Sequence, residues 1–342
     1  MKTDLRSLTF HELEAALENL GEEGFRAKQV FPWLHKTGVS SFDEMANVPK
    51  TLRENLSRNY ELTSLKRLKV QVSKDGTKKY LWGLPDGNTV ESVLLDDEGR
   101  KTVCLSTQIG CKMNCSFCAT AKVKFKRNLT AGEIVSQVIE IEKENGNISN
   151  LVYMGMGEPL DNYDNVLKSV RILNHPLGKT IGQRKITIST CGIVPEIERF
   201  ANEDLQVRLA VSLNAPNDAA RNRLMPINKK YPIEKILHAV EAYTNKTGRR
   251  VTVEYAMIKG ENDSIKDAEE LAKLLKGARS NINLIAFNPF EGCRLLPSPA
   301  EAIKQFRQIL EAAGFEVAQR FRRGVDIDAA CGQLTGKYEA QK

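Results

Sequence analysis

The chain has 342 residues, 41% of them hydrophobic and 27% charged, with a formal net charge of +7 at pH 7. That length and apolar share suit a soluble protein with a large buried core, built as one large domain or as a large domain with an appendage. No apolar run approaches the roughly 18 residues that span a bilayer, and the start MKTDLRSLTF lacks the apolar segment of a secretory signal, so a membrane or exported protein is not expected and the cytoplasm is.

The first sixty residues read as three short helices ending near Tyr60. Thr9-Phe10-His11-Glu12 and Ser41-Phe42-Asp43-Glu44 fit the capping box, in which hydroxyl and carboxylate reciprocally satisfy free amides at a helix start. Gly21 and Gly38 are expected stops. From Leu62 the period changes to two, through LTSLKRLKVQVS, KKYLWGL and TVESVLL, separated by the Asp-Gly turns KDGT and PDGN. Asp-Gly between such runs signals hairpins, so a small antiparallel meander is predicted.

Strands and helices then alternate. The expected strands are KTVCLST, NLVYMG, RKITIST, VRLAVSL, RVTVEYAM and NINLIAF, with a capping box at Thr130 and Glu133 opening the helix after the first of them. A last helix, PAEAIKQFRQILEAAG, leads to FEVAQ and a polar tail. Six β/α units imply a parallel sheet, curled as an incomplete barrel or open and doubly wound.

In either fold the ligand site lies at the carboxyl ends of the strands. The first strand runs into GCKMNCSFCATA, where Cys111, Cys115 and Cys118 are spaced C-x3-C-x2-C. The second runs into GMGEP with Gly157 and Glu158, the third ends at Ser189, the fourth supplies Ser212, Leu213 and Asn214, and the sixth Asn288. Seven cysteines are an odd number, which with the clustering favours metal or redox chemistry over disulfide staples. A structural zinc site needs four ligands, and no second Cys or His pair is spaced to complete this one. Three thiolates without a fourth protein ligand suit an iron–sulfur cluster with one iron left open. Cys191 and Cys293 are expected to be buried, inert thiols.

This triplet, with Phe117 before the last cysteine and GMGEP downstream, resembles the radical S-adenosylmethionine (SAM) enzymes. TQIGCKMNCSFCATA, SLNAPND, PINKKYPIE, INLIAFNPF and GVDIDAACGQL together resemble the RlmN-type dual-specificity RNA methyltransferases over nearly the whole chain. The resemblance implies an incomplete (β/α)6 parallel barrel with a small N-terminal helical domain and a short antiparallel β extension. The implied divisions are a helical accessory RNA-binding domain at 1–62, the meander at 63–100, the barrel at 101–320, and a tail at 321–342 carrying a catalytic cysteine.

The same resemblance implies a 4Fe-4S cluster on Cys111, Cys115 and Cys118, with SAM on the open iron and contacts from Gly157, Glu158, Ser189, Ser212, Leu213, Asn214 and Asn288. Relatives often carry SLHAP where this chain has SLNAP. The implied reaction is methylation of carbon 2 of adenosine, using two SAM molecules. Cys331 is the implied S-methylcysteine nucleophile and Cys104 the thiol that resolves it through a transient disulfide. Glu91 holds the implied proton acceptor position, and sequence leaves open whether it or Cys104 takes the proton.

Implied partners are 23S ribosomal RNA in its peptidyl-transferase region, transfer RNA beside the anticodon, and an electron donor such as flavodoxin or ferredoxin, with no membrane and a monomeric chain. The basic residues Lys66, Arg67, Lys69, Lys74, Lys78 and Lys79 fit an RNA-binding surface. Two other readings stand beside this one: a carbon-8 methylating enzyme of the antibiotic-resistance type, and a non-catalytic zinc-bearing RNA-binding protein.

Overall fold

The computed structural model describes residues 2–97, 99–320 and 322–337; the last five residues of the expected tail, 338–342, lie outside the described residues. Helix α1 (Phe10–Glu18) begins under the Thr9 capping box, with the Thr9 amide donating to the Glu12 carboxylate at 2.9 Å. Helix α2 (Arg26–Pro32) passes into a widened turn, Trp33–Thr37, and stops at Gly38. The Ser41 box caps only the single turn Phe42–Glu44, and α3 (Lys50–Asn59) starts afresh after Pro49, whose fixed φ sets the entry to the helix. The fully buried Arg6 ties this region to the rest, donating to the carbonyls of Thr63 and Val39.

Three antiparallel strands follow, β1 (Lys66–Val72), β2 (Lys78–Gly83) and β3 (Thr89–Asp97). Then come β4 (Arg100–Cys104), β5 (Asn150–Tyr153), β6 (Ile186–Thr190), β7 (Arg208–Ser212), β8 (Val251–Met257), β9 (Ser280–Ala286) and β10 (Val317–Arg320). All ten form one sheet whose spatial order follows the chain. From β4 onward every pairing is parallel. A doubly wound sheet would reverse its order at a switch point, so the sequential order selects the curled, incomplete barrel.

The helices α4 (Ala131–Asn145), α5 (Tyr163–Asn174), α6 (Val194–Phe200), α7 (Asp218–Leu224), α8 (Ile233–Thr247), α9 (Ile265–Leu274) and α10 (Ala300–Ala312) lie in the connections between these strands. The meander is not a separate layer but continues the barrel sheet. Val93 of β3 sits opposite Cys104 of β4, and Cys104 sits opposite Val152 of β5. A single apolar core therefore runs from Leu13 and Phe31 in the helical region through Trp82 and Val103 to Val211. No helix among the described residues is long and apolar enough to cross a membrane.

Candidate active site

The cysteine loop leaves β4 and returns to α4. Its base is closed by the antiparallel pair Gln108–Ile109 with Arg127–Asn128. Gln108 is fully buried there, its amide nitrogen donating to Asn128 and Asp161 at 2.8 and 2.7 Å while its oxygen accepts from the Glu158 amide at 2.8 Å. One side chain thus sets the cysteine loop against the GMGEP loop.

Cys111, Cys115 and Cys118 line a cavity of about 190 Å³ at the carboxyl ends of the strands. Burial pushes all three thiols up, Cys111 to about 12, so bare thiols would stay protonated at this depth. Coordination to a cation removes those protons, which is the compensation a thiolate-bound metal centre supplies. No group of three or more His, Cys, Asp or Glu among the described residues is gathered to hold one metal ion. A 4Fe-4S cluster asks for something different, since each cysteine meets a separate iron at its own corner.

The opposite wall carries Gly157, Glu158, Ser189, Ser212, Asn214 and Asn288. Glu158 is buried, with Oε1 accepting from the Leu160 amide at 3.0 Å and Oε2 from the Cys191 amide at 2.8 Å. Burial raises its pKa, which these bonds partly offset. The Asn288 side chain donates to the Cys331 carbonyl at 3.3 Å, leaving its own oxygen buried without a partner among the described residues. An orphaned acceptor in a cavity wall is what a donor on a bound ligand would satisfy. The thiol set and this orphan fit a cluster with SAM beside it.

Leu213 is not in the wall: its side chain packs in the core with Ile233 and Val253. Asn214 is fixed by its own backbone and side chain. Its φ of 57° lies in the left-handed region, which Asn tolerates, and its side-chain oxygen accepts from the Ala256 amide at 2.8 Å.

A second cavity, about 410 Å³, adjoins the first and is lined by Cys104, Arg100, Arg322 and Arg323. Cys331, Arg320 and Asn288 line both and form the partition. Cys331 is exposed, and Arg320 Nη1 reaches its sulfur at 3.8 Å and the Met154 sulfur at 3.4 Å. Burial, then the adjacent Cys331, pushes the Cys104 thiol up to about 12, against the opposing pull of Arg320.

Glu91 lies outside both cavities. Its carboxylate accepts from the amides of Thr335 and Gly336 and pairs with Lys79 Nζ at 3.3 Å. Lys79 is accordingly buried, Lys78 donates to Asn145, and Arg67 pairs with Glu144, leaving Lys66, Lys69 and Lys74 as the exposed cations of that basic stretch whose side chains meet no partner among the described residues. Cys191 is buried as expected, whereas Cys293 is partly exposed.

Two residues that shape the site carried no sequence signal beyond their places in recognisable segments. Arg221, fully buried, donates to the carbonyls of Leu213, Cys191 and Ser212 and to the Asn228 side chain, joining the ends of β6 and β7. Arg320, at the end of β10, is the cation between the two thiols.

The family model described as Radical SAM superfamily matches residues 105–275, and that described as Ribosomal RNA large subunit methyltransferase N-terminal domain matches residues 3–62. Two relatives, from Bacillus thuringiensis subsp. konkukian (strain 97-27) and Bacillus cereus (strain ATCC 14579), are each named probable dual-specificity RNA methyltransferase RlmN. Each is 46% identical over 345 residues, covering 100% of this chain and 95% of its own. The crystal structure of a radical SAM methyltransferase from Sphaerobacter thermophilus superposes with a TM-score of 0.93 at 45% identity, over 98% of this chain and 100% of that one. Identity at this level along the entire length, with the cysteine loop and both thiols on one rim, places the chain in the RlmN-type family of radical SAM RNA methyltransferases.

Proposed function

We propose that the protein methylates carbon 2 of adenosine in 23S ribosomal RNA and in transfer RNA beside the anticodon, carrying the one-carbon unit on Cys331. The observation that supports this reading is the partition: Cys331 lines the cavity of the cluster cysteines and also the cavity of Cys104. Cys111, Cys115 and Cys118 would hold a 4Fe-4S cluster, and Gly157, Glu158, Ser189, Ser212, Asn214 and Asn288 would hold SAM, while Leu213 packs in the core behind them. When bound, these groups supply a methyl group and a carbon-centred radical, which ring carbon 2 needs because it is electron-poor and resists ordinary methyl displacement.

The chain's own residues do the rest. Cys331 presents its sulfur to the first cavity, takes the methyl group, and after hydrogen abstraction from that methyl forms a covalent bridge to the base in the second; the radical adduct then loses the carbon-2 proton and, to the cluster held by Cys111, Cys115 and Cys118, one electron. Cys104 then attacks the Cys331 sulfur. A disulfide forms as the sulfur–carbon bond breaks, and the bond's electron pair goes to the carbon, which takes a proton and becomes the methyl group of the product. A thiol or equivalent reductant restores the pair. Cys104 lines the second cavity and Glu91 does not, which favours Cys104 for the proton on carbon 2. Arg100 and Arg323, which share the single carboxylate of Asp97, and Arg322, which donates to the Phe287 carbonyl, leave net positive charge around the same cavity that suits the phosphates flanking an extruded adenosine. An electron donor such as flavodoxin or ferredoxin, a monomeric state and the cytoplasm complete the reading.

The test is mass spectrometry of RNA digested after reaction. The expected product is 2-methyladenosine; 8-methyladenosine would transfer the assignment to the carbon-8 enzymes. Cys104→Ala should stop at a covalent protein–RNA adduct that resists denaturation and collapses on nuclease treatment, and Cys331→Ala should give no adduct.

A further inference from the structure

Cys331 rides on a strap, residues 322–337, gripped at both ends and in the middle. At the near end the Asp75 carboxylate accepts from the Gly324 amide at 2.8 Å, and Asp326 accepts from the Ser73 hydroxyl at 2.5 Å and the Lys74 amide at 3.2 Å. In the middle the Ala119 amide, next to Cys118, donates to the Gly332 carbonyl at 2.6 Å, and the Thr120 hydroxyl donates to the Leu334 carbonyl at 2.7 Å. At the far end Glu91 Oε2 accepts from the amides of Thr335 at 2.8 Å and Gly336 at 2.9 Å. Lys79, paired with Glu91 Oε1, also donates to the Asp328 carbonyl at 3.2 Å, so one ion pair reaches both halves of the strap.

The backbone of the strap is shaped for these grips. Gly332 has φ +83°, and a Cβ there would come within 3.1 Å of the Phe117 carbonyl. Gly336 has φ +64°, and a Cβ there would meet Met156 at 3.0 Å and the Thr89 carbonyl at 3.2 Å. Only glycine takes both the left-handed turn and the close approach.

We propose that Glu91 is a positioning residue: with Lys79 it clamps the Thr335–Gly336 end of the strap and thereby holds the Cys331 sulfur between the two cavities. The proposal deepens the reading of Cys331 as the one-carbon carrier and rests on it. A carboxylate whose side chain is only 6% exposed and which is already bound to two amides and an ammonium is built to hold something. Charge-assisted bonds of this kind are the stronger class, and their loss exposes two buried amides. Val93 and Leu95, on the same face of β3 as Glu91, do line the second cavity, whereas Glu91 itself is covered by the strap.

The experiment compares wild type, Glu91→Ala, Glu91→Gln and Asp326→Ala as full chains loaded with the cluster but without SAM or RNA. Hydrogen exchange at Thr335 and Gly336 should speed by about 10- to 100-fold in Glu91→Ala, and iodoacetamide should reach Cys104 correspondingly faster. Exchange in α5 and α8 should match wild type. Glu91→Gln keeps an oxygen for the two amides and should fall between. Asp326→Ala, which frees the other end and removes no group near the second cavity, should loosen the strap in the same direction.

With SAM added, methyl on Cys331, read by peptide mass, should fall in Glu91→Ala and Asp326→Ala alike. Strap exchange and Cys104 reactivity at wild-type levels in Glu91→Ala would overturn the proposal, and so would a loosened strap with undiminished Cys331 methylation. If strap exchange responds as expected while even the wild type carries no methyl on Cys331, the clamp stands and the carrier reading falls.

Discussion

Arg320 Nη1 lies 3.8 Å from the Cys331 sulfur, and its guanidinium is also the positive charge that counters the burial of Cys104. Replacing it by methionine keeps the bulk and removes the larger of the two influences that oppose that burial, leaving only the Met154 backbone bond, so Cys104 should ionise less. Disulfide formation requires thiolate attack, and each further unit of pKa lowers the thiolate population about tenfold. In Arg320→Met, Cys104–Cys331 bridging by a mild oxidant should therefore slow by about an order of magnitude, with Arg320→Lys closer to wild type. Non-reducing peptide mapping reads the rate; an unchanged rate would remove Arg320 from this role.

The Cys104 thiol, pushed up to about 12, gives a pH dependence with a definite sign. The proton is held more tightly in the folded chain than in an unfolded one, so the thiolate fraction keeps rising well above the range where ordinary cysteines have levelled. Alkylation of Cys104 in the native protein should climb by about tenfold per pH unit from about pH 8 to pH 11. A plateau near pH 9 would contradict the burial argument.

Arg221→Met should unfold at lower urea. Its guanidinium serves the Leu213, Cys191 and Ser212 carbonyls and the Asn228 side chain, and methionine leaves these buried acceptors unpaired. The expected loss is about 2–4 kcal/mol, since buried groups stripped of a charged donor carry their full desolvation penalty. Arg221→Lys should recover only part of it, because an ammonium cannot reproduce the planar fork.

Cys115→Ala should bind little iron after anaerobic reconstitution, lack brown colour and fail to cleave SAM. It shares its loop and cavity with Cys111 and Cys118, whereas Cys191, a further buried thiol of that cavity, sits on a separate strand end outside the C-x3-C-x2-C loop. Iron analysis and absorbance give the answer, and a full cluster in the variant would refute the ligand assignment.

Lys66, Lys69 and Lys74 are the exposed members of the basic stretch, with no side-chain partner among the described residues. Changing all three to glutamine should weaken RNA binding and reduce the slope of log affinity against log salt by about 2 to 3 if each meets a phosphate. Arg67, spent on Glu144, should matter less, and Lys79→Gln should act through the strap instead. Filter binding over a salt series separates these outcomes.

The parts of the site that sequence revealed are those whose chemistry fixes a local spacing. Cys111, Cys115 and Cys118 are legible as ligands because one loop must supply all three, and the strand rims are legible because hydrophobic period and turn residues mark where strands end. Cys104 and Cys331 were legible only through resemblance, since nothing local to either announces a partner brought to it by the closing of a sheet. Lys79 and Glu91 show the opposite case. Lysine beside other lysines reads as surface, and Glu91 is singled out by resemblance alone, with nothing local to announce its partners; in the fold each buries the other under a strap contributed from far along the chain. Arg221 had no signal at all, because an arginine in a helix is ordinary until the fold surrounds it. The Ser41 capping box was real but ended after one turn, where the route to Pro49 outweighed local propensity.

The grips on the strap also impose an order in time. Ser73, Asp75, Lys79, Glu91, Ala119, Thr120 and Asn288 all precede Cys331 in the chain, and domains generally assemble from the amino-terminal side during synthesis. The nascent protein can therefore assemble the meander, the cysteine loop and the strands up to β9 before the strap that completes both cavities has been made. Cys331 follows in the chain every residue that grips its strap, so the reactive sulfur is delivered to partners made before it.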